Sequence, residues 1–224
     1  MITILATTYV PPGGQARADA IELSLRSWRE HIKVSGDLHV HVADDGSAVD
    51  LEDLWRDVVG DWASFSYSRQ EREGVGASLN RGLAICREKS PLVLYPMDDW
   101  QLVSDANLDP WVEILTQHQD VGCIRLTPSG GTTGGAARRF GAVVAVEFGR
   151  DGHYWSMLPA LHHERFFQAY GAFSEGTSAV EVEADYNRKV KSTNGPAVLT
   201  AILSPWQHAG PEPVGMGAFR PSEM

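Results

Sequence analysis

Apolar and polar positions divide the first hundred residues into segments that alternate between a short and a long period. Residues 2–7 are apolar and β-branched, which predicts a strand, and the Pro-Pro-Gly-Gly run at 11–14 ends it in a loop. Over residues 18–32 the apolar positions Ile21, Leu23, Leu25, Trp28 and Ile32 are interleaved with Asp19, Glu22, Arg26 and Arg29, the pattern of an amphipathic helix. A second strand is predicted over 38–43, a helix over 51–59, a short strand over 64–68, a glycine-led helix over 77–86 and a buried strand over 92–95. Strand and helix therefore alternate, which implies an α/β fold whose mostly parallel sheet is connected by crossover helices.

The second half is less regular. Helices are predicted over 111–117, 164–170 and 181–191, and strands over 121–126, 140–148, 154–158 and 198–203. The glycines of 130–135 predict a mobile loop, and the prolines and glycines after Pro205 predict a coil tail. No repeat or linker interrupts the 224 residues, so one domain over 1–224 is expected, with 1–100 and 101–224 as its two halves.

Asp98 and Asp99 change the picture from fold to chemistry. They end the apolar run 92–95, and two ionised acids buried unpaired would cost several kcal/mol each, so they belong at the sheet edge facing a cation. In open α/β sheets ligands bind at the carboxyl ends of the strands. A carboxylate pair there suits Mg²⁺ or Mn²⁺, hard ions that share oxygen ligands with phosphates, although an acidic capping turn has the same composition. The net charge of −10 argues against non-specific attraction to nucleic acid or anionic membrane, while leaving room for a local basic groove near Arg138 and Arg139. No run approaches the roughly 18 apolar residues of a membrane span, and strand-like sequence begins at once. A cytoplasmic protein, in a host cytoplasm if phage-encoded, is expected. Cys86 and Cys123 lack metal-ligand spacing and read as buried thiols.

Three segments in order, Asp44-Asp-Gly-Ser47 after the second strand, the helix start from Gly74 to Leu83, and Met97-Asp-Asp99, together resemble family 2 glycosyltransferases of the GT-A fold. The resemblance spans residues 2 to about 210 and implies a GT-A type, Rossmann-like sheet with a smaller acceptor-side β region. It implies a metal-dependent, inverting transfer of sugar from a nucleotide-diphosphate donor, UDP-sugar first, to a hydroxyl acceptor. By position, Thr7, Thr8 and Tyr9 would line the nucleotide pocket, Asp44 or Asp45 would accept from the base, and Asn80 would belong to the donor site. Asp98 would reach the ribose or share the metal with Asp99. The family's arginine before that asparagine is missing, since Ser78 and Leu79 stand there, and Arg72 and Arg81 are candidate substitutes.

Downstream, the segment 166–175 and the acidic helix start at 180–188 resemble the region that supplies the catalytic base. Glu181, Glu183 and Asp185 compete for the role, with Glu183 favoured by its spacing from Asp185; first-turn acids that merely stabilise a helix start are the alternative. Trp206-Gln-His208 resembles the late histidine segment, which would place His208 on metal or diphosphate. His162 and His163 are adjacent and fall on opposite faces if on a strand.

The acceptor is open between a saccharide, a lipid-linked carrier, a protein and a modified nucleic-acid base. A phage-type enzyme acting on hydroxymethylated DNA bases fits the compact size, and 15 arginines against 4 lysines would serve phosphate contacts. A nucleotidyltransferase would need a more basic glycine loop after the first strand. A non-catalytic nucleotide-sugar binding protein would keep Asp44, Asp45 and Asp99 without a base.

Overall fold

The computed structural model describes residues 1–127, 135–147, 155–176 and 178–209. In chain order the elements are β1 (Ile2–Thr8), α1 (Gln15–His31), β2 (Ile32–Lys33), β3 (Leu38–Asp44), α2 (Glu52–Val59), β4 (Ser64–Arg69), α3 (Val75–Lys89), β5 (Leu92–Tyr95), β6 (Trp100–Leu102) and β7 (Ala106–Asn107). They continue with α4 (Asp109–Gln117), β8 (Val121–Arg125), β9 (Ala136–Phe140), β10 (Val143–Glu147), β11 (Ala160–His163), α5 (Glu164–Tyr170), α6 (Ala179–Ser192), β12 (Ala197–Ala201) and β13 (Trp206–His208).

Nine strands form one sheet in the order β4-β3-β1-β5-β11-β8-β12-β10-β9. The first four are mutually parallel, as their crossover helices require, and only β11 and β10 run against the common direction. This is the mostly parallel sheet expected from the alternating pattern, with the antiparallel strands confined to the second half.

Side-chain alternation divides the core between the two faces of the sheet. On β1, Ile2, Ile4 and Ala6 pack with Val40, Val42, Trp28 and Trp55 on one face, while Leu5 packs with Leu79, Leu83 and Val93 on the other. α3 lies so close to the sheet that a Cβ at Gly82 would meet the Leu5 side chain at 2.4 Å. Both cysteines are free thiols buried in this second cluster, as expected.

Three sequence expectations are corrected. The strand anticipated over 140–148 is a hairpin in which β9 and β10 turn at Gly141, whose φ of 58° suits a residue without a side chain. The strand anticipated over 154–158 is absent from the described part, 155–158. The Trp155 N–H is taken by Asn187 Oδ1 and the Met157 N–H by Glu183 Oε2, so these donors serve side chains instead of a ladder. The tail does not pass wholly into coil after Pro205, because Trp206 is buried and β13 pairs antiparallel with β6. The small β2–β7 pair, unsigned in a sequence of two-residue strands, closes the far end of α1. The anticipated loop over 130–135 lies outside the described residues except for Gly135.

Candidate active site

Parallel pairing brings the ends of three strands side by side. β1 and β3 are in register from Ile2↔Leu38 to Thr8↔Asp44, and the Asp45 N–H donates to the Thr8 carbonyl at 2.9 Å. β5 pairs with the other edge of β1 and releases the chain at Tyr95, so Asp98 and Asp99 emerge beside Thr7 and Thr8. The strand ends open into a cleft of about 560 Å³ lined among others by Thr8, Tyr9, Arg17, Asp45, Arg72 and Asp98. The turn carrying the acids begins at Met97, whose φ of 59° is costly for a residue with a side chain.

The two acids share one cation from the protein. Arg17, in the first turn of α1, donates Nη1 to Asp99 Oδ2 at 2.6 Å and Nη2 to Asp98 Oδ1. His208 Nε2 lies 3.3 Å from the same Asp99 oxygen, carried there by β13, and the Ala209 N–H donates to the Asp99 carbonyl. Burial pushes the Asp98 carboxyl up to about 6, opposed by Arg17 and assisted by the Asp99 charge. Burial also opposes ionisation of Asp99, but hydrogen bonds and charge from His208 and Arg17 outweigh it and hold the carboxyl below its ordinary value.

The fit of a divalent cation turns on the oxygens left over. Asp98 Oδ2 and Asp99 Oδ1 are buried and have no partner in the protein. Among the described residues no three His, Cys, Asp or Glu side chains form a complete metal-binding group. Mg²⁺ and Mn²⁺ do not need one, because such ions take one or two carboxylates and complete their shell with water and substrate phosphate. Two orphaned oxygens, one on each of two acids that line the cleft, fit that demand.

The other anticipated donor residues divide. Thr7 shares a hydrogen bond of 3.1 Å with the Tyr95 hydroxyl, and Tyr9 stacks under Arg72, whose Cζ is 4.1 Å from the ring centroid. Both line the cleft. Of the two candidate substitute arginines, Arg72 reaches the cleft, whereas Arg81 is held by Gln70 and Glu73. Asp45 faces the cleft and accepts from Gln70, from the Glu73 N–H at 2.9 Å and from the Gly74 N–H at 2.8 Å. Asp44 is fully buried behind it, accepting from the Ser47 N–H and the Tyr67 hydroxyl. Asn80 does not line the cleft: its amide clamps the backbone of Phe173 in both directions and donates to Glu175 at 2.7 Å.

The three acids of α6 separate as clearly. Glu181 closes a capping box with Ser178, and Asp185 pairs with Arg188 one turn on. Hydrogen bonding by Ser178 holds the exposed Glu181 carboxyl below its ordinary value. Glu183 alone turns inward, accepting from the N–H of Met157, a cleft-lining residue, and facing the charge of the buried Arg125. Ser178 and Ala179 at the start of α6 also line the cleft, as do Gly74 and Val75 at the start of α3. Two helix N-termini therefore converge on a space that also holds Arg17 and Arg72, a setting suited to an anion.

Trp100 is a packing residue, half-buried against the core with its carbonyl accepting from Trp28 Nε1. His162 is buried among Phe166 and Phe167, while His163 caps α5 through the Arg165 N–H, so the pair does fall on opposite faces. A larger hollow of about 1100 Å³ at the opposite ends of the strands carries several acids, but Asp61, Asp105 and Asp109 are already bonded to Arg29, His31 and Ser35. The smaller cleft has the convergent chemistry. Arg17 was the main residue missed from sequence as a partner of the acids; its signal was a cation in the first turn of the helix that follows β1.

No family model matches the chain, and no curated protein matches it in sequence. Solved structures do. S. aureus TarS 1–349 in complex with UDP-GlcNAc superposes with a TM-score of 0.58 at 17% identity, covering 89% of this chain and 58% of that one. The mannosyltransferase PcManGT from Pyrobaculum calidifontis, in complex with GDP-Man and Mn²⁺, gives 0.61 at 15% identity, covering 89% and 54%. GalNAc-T7 with UDP, GalNAc and Mn²⁺ gives 0.62 at 12% identity, covering 93% and 43%. The chain thus has a GT-A-type fold, the one these glycosyltransferases share. It spans about half the length of the structures it matches.

Proposed function

We propose that the protein is a glycosyltransferase that moves a sugar from a nucleotide-diphosphate donor, a UDP-sugar first among candidates, to a hydroxyl acceptor. The observation that carries this reading is the buried Asp98–Asp99 pair at the sheet edge, two cleft-lining acids that each keep one buried oxygen without a protein partner. Nucleotides or nucleotide sugars in the matched structures, two of them with Mn²⁺, support it.

In this reading Tyr9 and Arg72 offer a flat surface to the base, and Asp45 stands where it can take a base N–H. Thr7 and Thr8 hold the floor of the pocket. Asp98, Asp99 and His208 would hold Mn²⁺ or Mg²⁺, which when bound supplies Lewis-acid stabilisation of the departing diphosphate. Arg17 and the N–H groups at the starts of α3 and α6 add positive potential at the same place.

Glu183 is the general base. It removes the acceptor hydroxyl's proton as that oxygen forms its bond to the anomeric carbon, while the bond to the diphosphate breaks on the opposite face. That geometry inverts the anomeric centre. Glu181 and Asp185 are occupied by the helix cap and by Arg188. Release of nucleoside diphosphate from a panel of UDP- and GDP-sugars, with Mn²⁺ and a panel of hydroxyl acceptors, tests the proposal. Turnover abolished in Glu183→Gln with donor binding intact supports it; turnover unaffected by that change refutes the assignment of the base.

A further inference from the structure

We propose that Arg17 is the resident cation of the Asp98–Asp99 pair and gates the divalent metal, giving up its place only when the donor diphosphate arrives. The inference rests on the reading that this pair is the metal site. It gives Arg17 a gating role that this reading did not require.

The geometry is a fork on two tines. Nη1 takes Asp99 Oδ2 and Nη2 takes Asp98 Oδ1, so one planar guanidinium spans both side chains and leaves one oxygen of each without a partner. The Asp98 side chain is only 5% exposed and that of Asp99 16%, whereas Arg17 is 30% exposed at the cleft wall. The acids are fixed by the turn after β5 and by β13; the arginine hangs from the first turn of α1 on a flexible stem with open space beside it.

Charge counting then orders the binding events. Two carboxylates carry two negative charges, and Arg17 neutralises one of them. A divalent ion entering alone would place three positive charges against two negative ones within a few ångströms, at low dielectric, so it must expel the guanidinium into water. A diphosphate arriving with the ion removes the conflict. It brings at least two negative charges and offers the freed guanidinium phosphate oxygens that can accept a bidentate pair of hydrogen bonds. Metal and nucleotide must therefore bind with positive coupling, and Arg17 must be a source of it.

A purely structural ion pair that ties α1 to the β5 turn would behave differently. Its loss would lower stability but leave metal affinity and coupling as they were. The test is Mn²⁺ binding by the full chain without nucleotide, followed by the disappearance of the free-ion electron paramagnetic resonance signal, alongside calorimetric UDP affinity with and without Mn²⁺. Wild-type protein, Arg17→Gln and Arg17→Lys are compared.

The expected result is weak Mn²⁺ binding by the wild type, tightened by about tenfold or more in Arg17→Gln, with the Mn²⁺ enhancement of UDP affinity reduced in the same variant. Arg17→Lys keeps the charge without the fork and lies between the two; it also carries the comparison should Arg17→Gln fold poorly. Equal Mn²⁺ affinity in wild type and variant overturns the gate while leaving the metal site in place. Absence of Mn²⁺ binding by every variant, with UDP bound as without it, overturns the metal reading together with the gate.

Discussion

Glu183 shows how environment separates residues that composition leaves equal. Three acids crowd the start of α6, yet one closes the helix cap, one pairs on the surface and one turns inward to accept from the Met157 N–H. Glu183→Gln is expected to lower kcat by roughly 10²- to 10⁴-fold, the usual range for a positioned base, with little change in donor affinity. Glu181→Gln, which weakens only a cap, should leave kcat within about threefold while costing some tenths of a kcal/mol in stability. Steady-state kinetics and urea unfolding on both variants check this, and reversal of the two effects contradicts it. Tyr9→Ala should weaken nucleotide binding by about 1–3 kcal/mol, the range for a base on an aromatic face, and an unchanged calorimetric Kd would show that the base stacks elsewhere.

At the scale of elements, the cleft depends on how α3 meets the segment 171–176. A Cβ at Gly76 would lie 1.9 Å from the Ser174 carbonyl oxygen, so the helix and this segment touch backbone to side-chain-free backbone. Asn80 clamps the same segment one turn further along. Gly76→Ala should therefore cost about 1–3 kcal/mol by forcing backbone apart, seen as a lower urea midpoint. Because Ser178 and Ala179 follow directly, it should also weaken nucleotide binding; an unaltered midpoint would mean the contact is not close. The regular elements of the first half were legible because one face of each is apolar at a clear period. β6, β13 and the β2–β7 pair were not, since strands of two or three residues carry no period and their pairing is tertiary. Asp98, Asp99 and His208 were legible as one group only through resemblance. The roles of Asn80 and Asp44 as supports behind the cleft follow from contacts across tens of residues, which no local pattern encodes.

For the whole molecule, buried histidines couple stability to pH. Burial pushes His41 down to about 4, helped by His39 and Lys89, and pushes His162 down to about 3. The unfolded chain protonates its histidines near the ordinary value of about 6.5, so it binds more protons than the fold as pH falls below that value. The stability these groups contribute is complete above about 6.5 and is lost as pH falls toward the folded values. His41→Gln should flatten the loss in urea midpoint between pH 7 and 4.5 by an amount equivalent to about 1–3 kcal/mol; an unchanged slope would show that His41 charges freely in the fold. The sheet that buries these histidines also delivers three strand ends to one cleft, and the central claim is that this cleft receives a nucleoside diphosphate at Asp98 and Asp99. The most direct test is the thermal unfolding midpoint of wild type and Asp99→Asn against UDP, GDP and their sugars, each with and without Mn²⁺. A Mn²⁺-dependent rise with one nucleoside diphosphate, absent in Asp99→Asn, is the predicted result; no rise with any of them, or an equal rise in the variant, would contradict it.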